Sequence, residues 1–134
     1  NPKPPRLITN GRIVEPGTSG GISFLGTLAT LGGGLVIGLA GAAFSVGRGA
    51  WTLLLAATLG GLSGSLFDSL LGATVQAIYY CPSCQKETER HPNHSCGTKT
   101  QHHRGWRWLN NDMVNLLASA VGASIALGIW TLTQ

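Results

Sequence analysis

"WTLLLAATLGGLSGSLFDSLLGATVQAIYYCPSC", residues 51–84, carries an almost uncharged apolar run directly into a C-x-x-C pair. From Ala50 to Tyr80 the only charged residue is Asp68, and the run exceeds the roughly 20 residues that span a bilayer core. Two more runs, Ile22 to Val46 and Met113 to Thr133, carry no charge at all. Charged residues make up 10% of the 134, and 20 residues are glycine, which excludes an ordinary soluble domain. The expected fold is therefore all-α and integral to the membrane. Three transmembrane helices are placed over 22–46, 50–80 and 110–133, with a Gly-rich segment over 1–21 and a metal-binding loop over 81–109. The second run is longer than a span requires, so tilt, a break near its glycines or an extension beyond the bilayer must absorb the excess.

The first twenty residues carry Pro, Arg, Lys and Glu rather than the apolar core of a signal peptide. The chain also starts without Met, and three helices leave little room for an enclosed site. It reads as part of a longer membrane domain, completed by upstream helices or a partner subunit. Eight of the nine Lys and Arg fall in the N-terminal segment or the 81–109 loop, and only Arg48 lies in the short turn between the first two runs. By the positive-inside rule, the N-terminal segment and the loop face the cytoplasm. Cysteines in that reducing compartment read as metal ligands rather than as a disulfide with one thiol left over.

Cys81 with Cys84, and His94 with Cys96, supply the four nitrogen and sulfur donors that tetrahedral zinc prefers. Four protein ligands leave no open position, so the implied zinc is structural. His91 competes with His94 as the fourth ligand, and His102 and His103 are more distant candidates. Binding one ion would supply folding free energy that so small a loop lacks. Lys99, Arg104, Arg107, Trp106 and Trp108 could suggest nucleic-acid binding, but Trp and Arg at the start of a membrane helix are ordinary interfacial anchors, and no nucleic-acid partner is expected.

"EPGTSGGIS", residues 15–23, feeds the first apolar run. Amides and hydroxyls around Gly17, Thr18, Gly20, Gly21 and Ser23 suit a phosphate at a helix N-terminus, with Arg12 and Arg6 as added cations. No Lys-Ser/Thr pair follows, so this is not a Walker loop; the plainer alternative is a turn with a Ser or Thr cap. Inside the second run, Ser65, Asp68, Ser69, Gly72 and Gln76 share one helical face. An ionised Asp68 facing lipid would cost several kcal/mol, so this face should look inward, with Asp68 neutral, paired with a cation or helping to hold a bound ion such as magnesium; the plainer alternative is a structural hydrogen bond between helices. In "WLNNDMVN", residues 108–115, Asn110 or Asn111 is a helix cap and Asp112 complements the dipole. Capping leaves Asn115 unexplained, so Asn111, Asp112 and Asn115 are candidate metal or substrate groups. Gly34 with Gly38, and Gly60 with Gly64, have the spacing that permits close helix packing.

Together, "PRLITNGRIVEPGTSGGIS", "GSLFDSLLGATVQ", "YYCPSC…HSCGT" and "RGWRWLNNDMVNLLAS" resemble the C-terminal half of the integral-membrane family called domain of unknown function 92, which includes transmembrane protein 19 and a plant phytyl-phosphate kinase. The resemblance covers nearly the whole chain. It implies a CTP-type, nucleotide-dependent kinase acting on an isoprenoid phosphate, with distant similarity to dolichol and phytol kinases. The positions matching a nucleotide-phosphate loop are Gly17, Thr18, Gly20, Gly21 and Ser23; those matching groups that hold magnesium and phosphate are Asp68, Asn111, Asp112 and Asn115. The cysteine knuckle departs from the plant enzyme and resembles the archaeal, bacterial and animal branch. Two other classes compete: a multi-pass transporter, for which intramembrane Asp and Asn would mark an ion path, and a scaffold docking through Lys86 and Arg90. Transport would be favoured by inverted sequence symmetry, and none is visible.

Overall fold

A computed structural model of the chain describes residues 3–45 and 49–133. The residues expected to close the first span at Val46, and the lone turn charge Arg48, lie outside that description. Three helices carry the fold: α1 Phe24–Phe44, α2 Ala50–Thr74 and α3 Asn111–Leu132. Each is long and apolar enough to cross a membrane, and at about 1.5 Å per residue their lengths match or exceed a core of about 30 Å. Val36, Ile37, Leu39, Leu116 and Leu127 are exposed on the helices, as lipid-facing side chains should be.

α2 packs against both α1 and α3, and glycine makes both contacts possible. A Cβ on Gly38 would stand 2.7 Å from Leu54 Cα, and one on Gly34 2.8 Å from Thr58 Cα. Across the other interface, a Cβ on Gly60 would meet the Gly122 carbonyl at 2.7 Å and one on Gly64 the Ala118 carbonyl at 2.9 Å. With little difference in polarity between lipid and Leu to drive association, this backbone proximity is what holds the helices.

The all-α expectation is corrected by two small antiparallel sheets. β1 Arg6–Leu7 pairs with β2 Gly21–Ile22 ahead of α1. β3 Ile78–Cys81, β4 Lys86–Thr88 and β5 Gln101–Arg104 form a second sheet in the order β4-β3-β5. The second span is corrected too: the helix expected over 50–80 ends at Thr74, and its last apolar residues are strand β3. The cause lies in the returning chain. Arg104 donates from both terminal guanidinium nitrogens to the Gly72 carbonyl at 3.2 Å, and Trp106 N–H donates to the Val75 carbonyl at 2.8 Å. Both occupy carbonyls that a continuing helix would need, and a cation there complements the dipole. Gly105, at φ +81, lies so close over the Gln76 backbone that no side chain fits.

The fully buried side chains Ile78, Leu109, Val114, Cys81 and Gln76 gather at this junction rather than between the helices. The largest fully buried side chains thus join the knuckle to the ends of α2 and α3. Trp106 and Trp108 stack at 5.8 Å beside it, while Trp51 and Trp130 stand at the opposite ends of α2 and α3, an arrangement that suits two interfacial belts.

Leucine at Gly60 should separate α2 from α3 and cost about 1–3 kcal/mol through overpacking. Gly33→Leu, where a side chain meets nothing within 4 Å, should be near neutral. Thermal unfolding in detergent compares the two variants directly.

Candidate functional site

The β3–β4 hairpin sets the first half of a four-ligand knuckle. Cys81 ends β3, Cys84 lies in the turn, and Gln85 at φ 52 lets the chain reverse. A second turn sets the other half: His94 N–H donates to the Thr98 carbonyl, Gly97 N–H donates back to the His94 carbonyl, and Gly97 takes φ +82. The donor atoms of Cys81, Cys84, His94 and Cys96 all lie within 4.8 Å of one another, close enough to hold a metal ion. Cys81 Sγ and Cys96 Sγ are 3.6 Å apart, and His94 Nδ1 is 3.2 Å from Cys96 Sγ. Bonds of about 2.3 Å to a tetrahedral ion would place neighbouring sulfurs about 3.8 Å apart, so three sulfurs and one imidazole fit such an ion.

The other histidines have different neighbours. His91 stacks on Tyr79 at 4.5 Å, His102 meets the same ring edge-on at 5.7 Å and pairs with the Gly105 carbonyl at 3.0 Å, and His103 lies 3.4 Å from Glu87. The geometry therefore favours His94 over His91. Hydrogen bonding from Thr98, and then from His94, lowers the Cys96 pKa to about 5, so this sulfur carries the charge. Its hydrogen bond with Cys96 pushes Cys84 up to about 11. A low-pKa thiol at Cys96 beside a raised one at Cys84 supplies one ligand ready for a metal and one that would release its proton on binding.

Contacts between separate segments join this end of the molecule. Ser19 donates its hydroxyl proton to Glu89 Oε1, tying the N-terminal segment to the residue after β4. Gly20 presses on the Ala73 backbone, and Ala77 N–H donates to the Leu109 carbonyl at 2.8 Å. Among the described residues, clefts open beside these contacts and between the helices. A rim cavity of about 900 Å3 between the knuckle and the start of α3 is lined by Tyr79, Glu89, Arg90, His91, Arg107, Asn111 and Asp112 among others. A cleft of about 600 Å3 between α2 and α3 holds Ser65, Asp68, Ser69, Asn115 and Ser119. An outer cleft of about 700 Å3 lies between Arg12, Gly17 and Thr18 on one side and Glu87, Glu89 and Arg90 on the other. A crevice of about 170 Å3 between α1 and α2 is lined by Gly21, Ser23, Thr30 and Ser65, where the Thr30 and Ser65 hydroxyls are 3.4 Å apart.

The expected residues are thus brought together only in part. Asp68 and Asn115 share the interhelical cleft, whereas Asn111 and Asp112 face the rim cavity about one turn away along α3. Gly72 and Gln76, expected to share an inward-looking face with Asp68, do not line its cleft: Gly72 packs against Ser19 and Gly20, and Gln76 is buried with Gly105 close over its backbone. The Gly-rich loop is divided. Gly17, Thr18 and Arg12 face the outer cleft, Gly20 packs on α2, and the Ser23 hydroxyl accepts from Gly26 N–H at 3.1 Å as the α1 cap. Thr18 and Gly21 donate their amides within the loop, to Glu15 and Thr18. Of the two amides proposed as the α3 cap, Asn110 serves, accepting from Met113 N–H at 3.0 Å. Sequence reasoning missed Tyr79, Glu89, His91 and Arg107 as cavity residues and gave Arg90 only a docking role, because no local motif joins them.

The model of the family described as integral membrane protein DUF92 matches residues 1–123. An uncharacterized membrane protein of Methanocaldococcus jannaschii is 35% identical over 126 residues, covering 94% of this chain and 40% of the relative. Protein PGR of Arabidopsis thaliana is 40% identical over 86 residues, covering 58% of this chain and 30% of that protein. An uncharacterized membrane protein of Synechocystis is 29% identical over 128 residues, covering 96% and 38%. The chain therefore spans two fifths or less of the length of these relatives. No solved structure matches. The chain belongs to the DUF92 integral membrane family.

Loss of one of four ligands should forfeit roughly a quarter of the about 10–16 kcal/mol typical of structural metal binding in small domains, an affinity loss of about 100-fold or more. Cys84→Ser should accordingly purify without its metal, whereas His91→Ala should retain it. Elemental analysis of the two proteins checks both outcomes.

Proposed function

We propose that the protein is a membrane-embedded phosphotransferase that uses a nucleoside triphosphate to phosphorylate an isoprenoid monophosphate, with structural zinc in the Cys81, Cys84, His94 and Cys96 knuckle. The observation that carries this reading is the shared α2–α3 cleft. It sets Asp68 and Asn115 beside the hydroxyls of Ser65, Ser69 and Ser119, below a water-facing cavity that contains Asp112. A lipid-borne phosphate approaches from the bilayer and a nucleotide from water, so a two-substrate site at this depth needs openings of both kinds. Membership of DUF92 agrees with a membrane-embedded site, and the kinase class is what the resemblance of the sequence motifs implies.

In the transfer, an oxygen of the acceptor phosphate forms a bond to the γ-phosphorus. The bond from that phosphorus to the bridging oxygen breaks, the nucleoside diphosphate leaves and the lipid becomes a diphosphate. Such chemistry requires positioning and charge neutralisation rather than a covalent protein nucleophile. Magnesium, when bound, would offset charge on the phosphoryl oxygens. Asp68 in the interhelical cleft and Asp112 at the rim cavity are each acidic groups suited to a magnesium ion, and Asn115 and Asn111 beside them offer amides that orient phosphate. Gly17, Thr18 and Arg12 border the outer cleft, where they can meet the far end of the nucleotide.

The same end of the fold faces the cytoplasm in this reading. The N-terminal segment and the knuckle, which carry the basic residues, meet through Ser19 and Glu89, consistent with the positive-inside rule and with a cytosolic nucleotide supply.

Membranes from cells making the protein at its natural full length, given γ-labelled CTP or ATP, magnesium and isoprenyl monophosphates, should form labelled isoprenyl diphosphate. Asp68→Asn should reduce that transfer about 100-fold or more with knuckle metal retained. Absence of transfer to every isoprenyl acceptor, in metal-loaded protein, would overturn the assignment and shift weight to transport.

A further inference from the structure

The rim cavity contains opposed charges, three of which form no side-chain hydrogen bond or ion pair among the described residues. Among the described residues, Arg6 donates to the Gly11 carbonyl, and Arg104 donates to Gly72 and lies 3.8 Å from Glu87. The Arg90 and Arg107 guanidinium groups enter no such hydrogen bond or ion pair, nor does the Asp112 carboxylate, although all three line one cavity with Glu89. They come from separate places: Glu89 and Arg90 follow β4, Arg107 lies between two stacked tryptophans, and Asp112 is in the first turn of α3. The floor between them is fixed, because Tyr79 is 7% exposed and has His91 against one part of its ring and His102 against another.

This combination narrows the ligand. A bare anion would satisfy the guanidinium groups but meet the carboxylates, and a bare cation would do the reverse. A phosphoric anhydride chelated to a divalent cation satisfies both, since guanidinium forks match phosphoryl oxygens and carboxylates suit a hard cation. One Glu89 oxygen already accepts from Ser19, leaving the other free for the cation. A volume of about 900 Å3 accommodates a cofactor-sized molecule.

We infer that the rim cavity is a metal–polyphosphate site in which Arg90 and Arg107 hold phosphoryl oxygens while Glu89 and Asp112 hold a divalent cation. This rests on the phosphotransferase reading for its role, but the binding itself is separable from transfer. It also assigns Arg90 to two tasks, because Glu89 and Arg90 form the wall shared by the rim cavity and the outer cleft under Gly17 and Thr18. The diphosphate unit could belong to a nucleotide or to an isoprenyl diphosphate; the chemistry is common to both.

The test uses the full-length protein in lipid nanodiscs, titrated calorimetrically with inorganic pyrophosphate with and without magnesium. Magnesium-dependent binding is expected, weakened roughly 10- to 100-fold by Arg90→Gln and by Arg107→Gln. Asp112→Asn should remove the magnesium dependence, and Lys99→Gln should change nothing. Competition then separates the sources: displacement by magnesium CTP or ATP supports a nucleotide site, and displacement by isoprenyl diphosphate in the disc supports a lipid headgroup site.

Phenylglyoxal labelling of the unsubstituted protein provides a readout independent of variant folding. Magnesium pyrophosphate should shield Arg90 and Arg107, with labelling located by peptide mass spectrometry. Unchanged labelling of both, or pyrophosphate binding unaffected in both metal-retaining arginine variants, overturns the inference. Lipid phosphorylation with that outcome leaves the kinase reading intact; protected arginines without any phosphorylation do the reverse.

Discussion

The clamp on the C-terminal end of α2 is the interaction on which the arrangement depends. A membrane helix can leave the bilayer only if its last carbonyls find donors. Here the Gly72 carbonyl accepts from Arg104 and the Val75 carbonyl from Trp106 N–H. Both donors come from the segment that returns to α3. Ending α2 and starting α3 are therefore one structural event. The buried group of Ile78, Leu109 and Val114 is the apolar half of that event, and the contact of Gly105 with Gln76 is the steric condition for it. Replacing that glycine would push the returning strand off the helix end.

The parts read from sequence are those governed by properties of consecutive residues. Span length and lack of charge identify three helices without any tertiary information, and the C-x-x-C and H-x-C pairs give the four metal donors. The end of α2 is different, because "AIYY" continues the apolar run and only its contacts with a distant segment make it a strand. β-Branched and aromatic residues favour that state, but a short apolar run is ambiguous between buried helix and strand. The same limit applies to His91 and His94. Their spacing admits either, and the stack of His91 on Tyr79 is a tertiary fact.

The polar clefts show why local motifs gave only a partial site. Gly17 to Ser23 has the composition of an anion loop, yet in space Gly20 is a contact point for Ala73 and Ser23 is a helix cap. Glycine before a helix is demanded both by close packing and by phosphate, and composition does not separate the two uses. Conversely, Arg90 and Arg107 fall in a loop and a turn before a membrane helix, where basic residues are ordinary, so their sequence context conceals that they face one cavity with Asp112. Asp68 was legible because a carboxylate in an apolar helix demands a reason, whatever surrounds it.

Metal binding at the knuckle and order at the clefts are mechanically linked by chain connectivity. Cys81 lies at the end of β3, only a few residues beyond α2, and β3 pairs with β5, whose last residue is the clamping Arg104. An ion held by Cys81, Cys84, His94 and Cys96 closes β3 and the following hairpin onto the 94–96 turn, so the strand that positions Arg104 cannot slide without disturbing the ligands. A bound ion would thereby restrain the axial register of α2 relative to α3, and hence Asp68 relative to Asn115. Glycine contacts alone would not do so, since small surfaces permit sliding as readily as they permit approach. A metal ion held by these four residues beside a membrane interface would thus have a use that does not involve catalysis: it would supply, from beyond the helix ends, the axial restraint that apolar helix packing lacks.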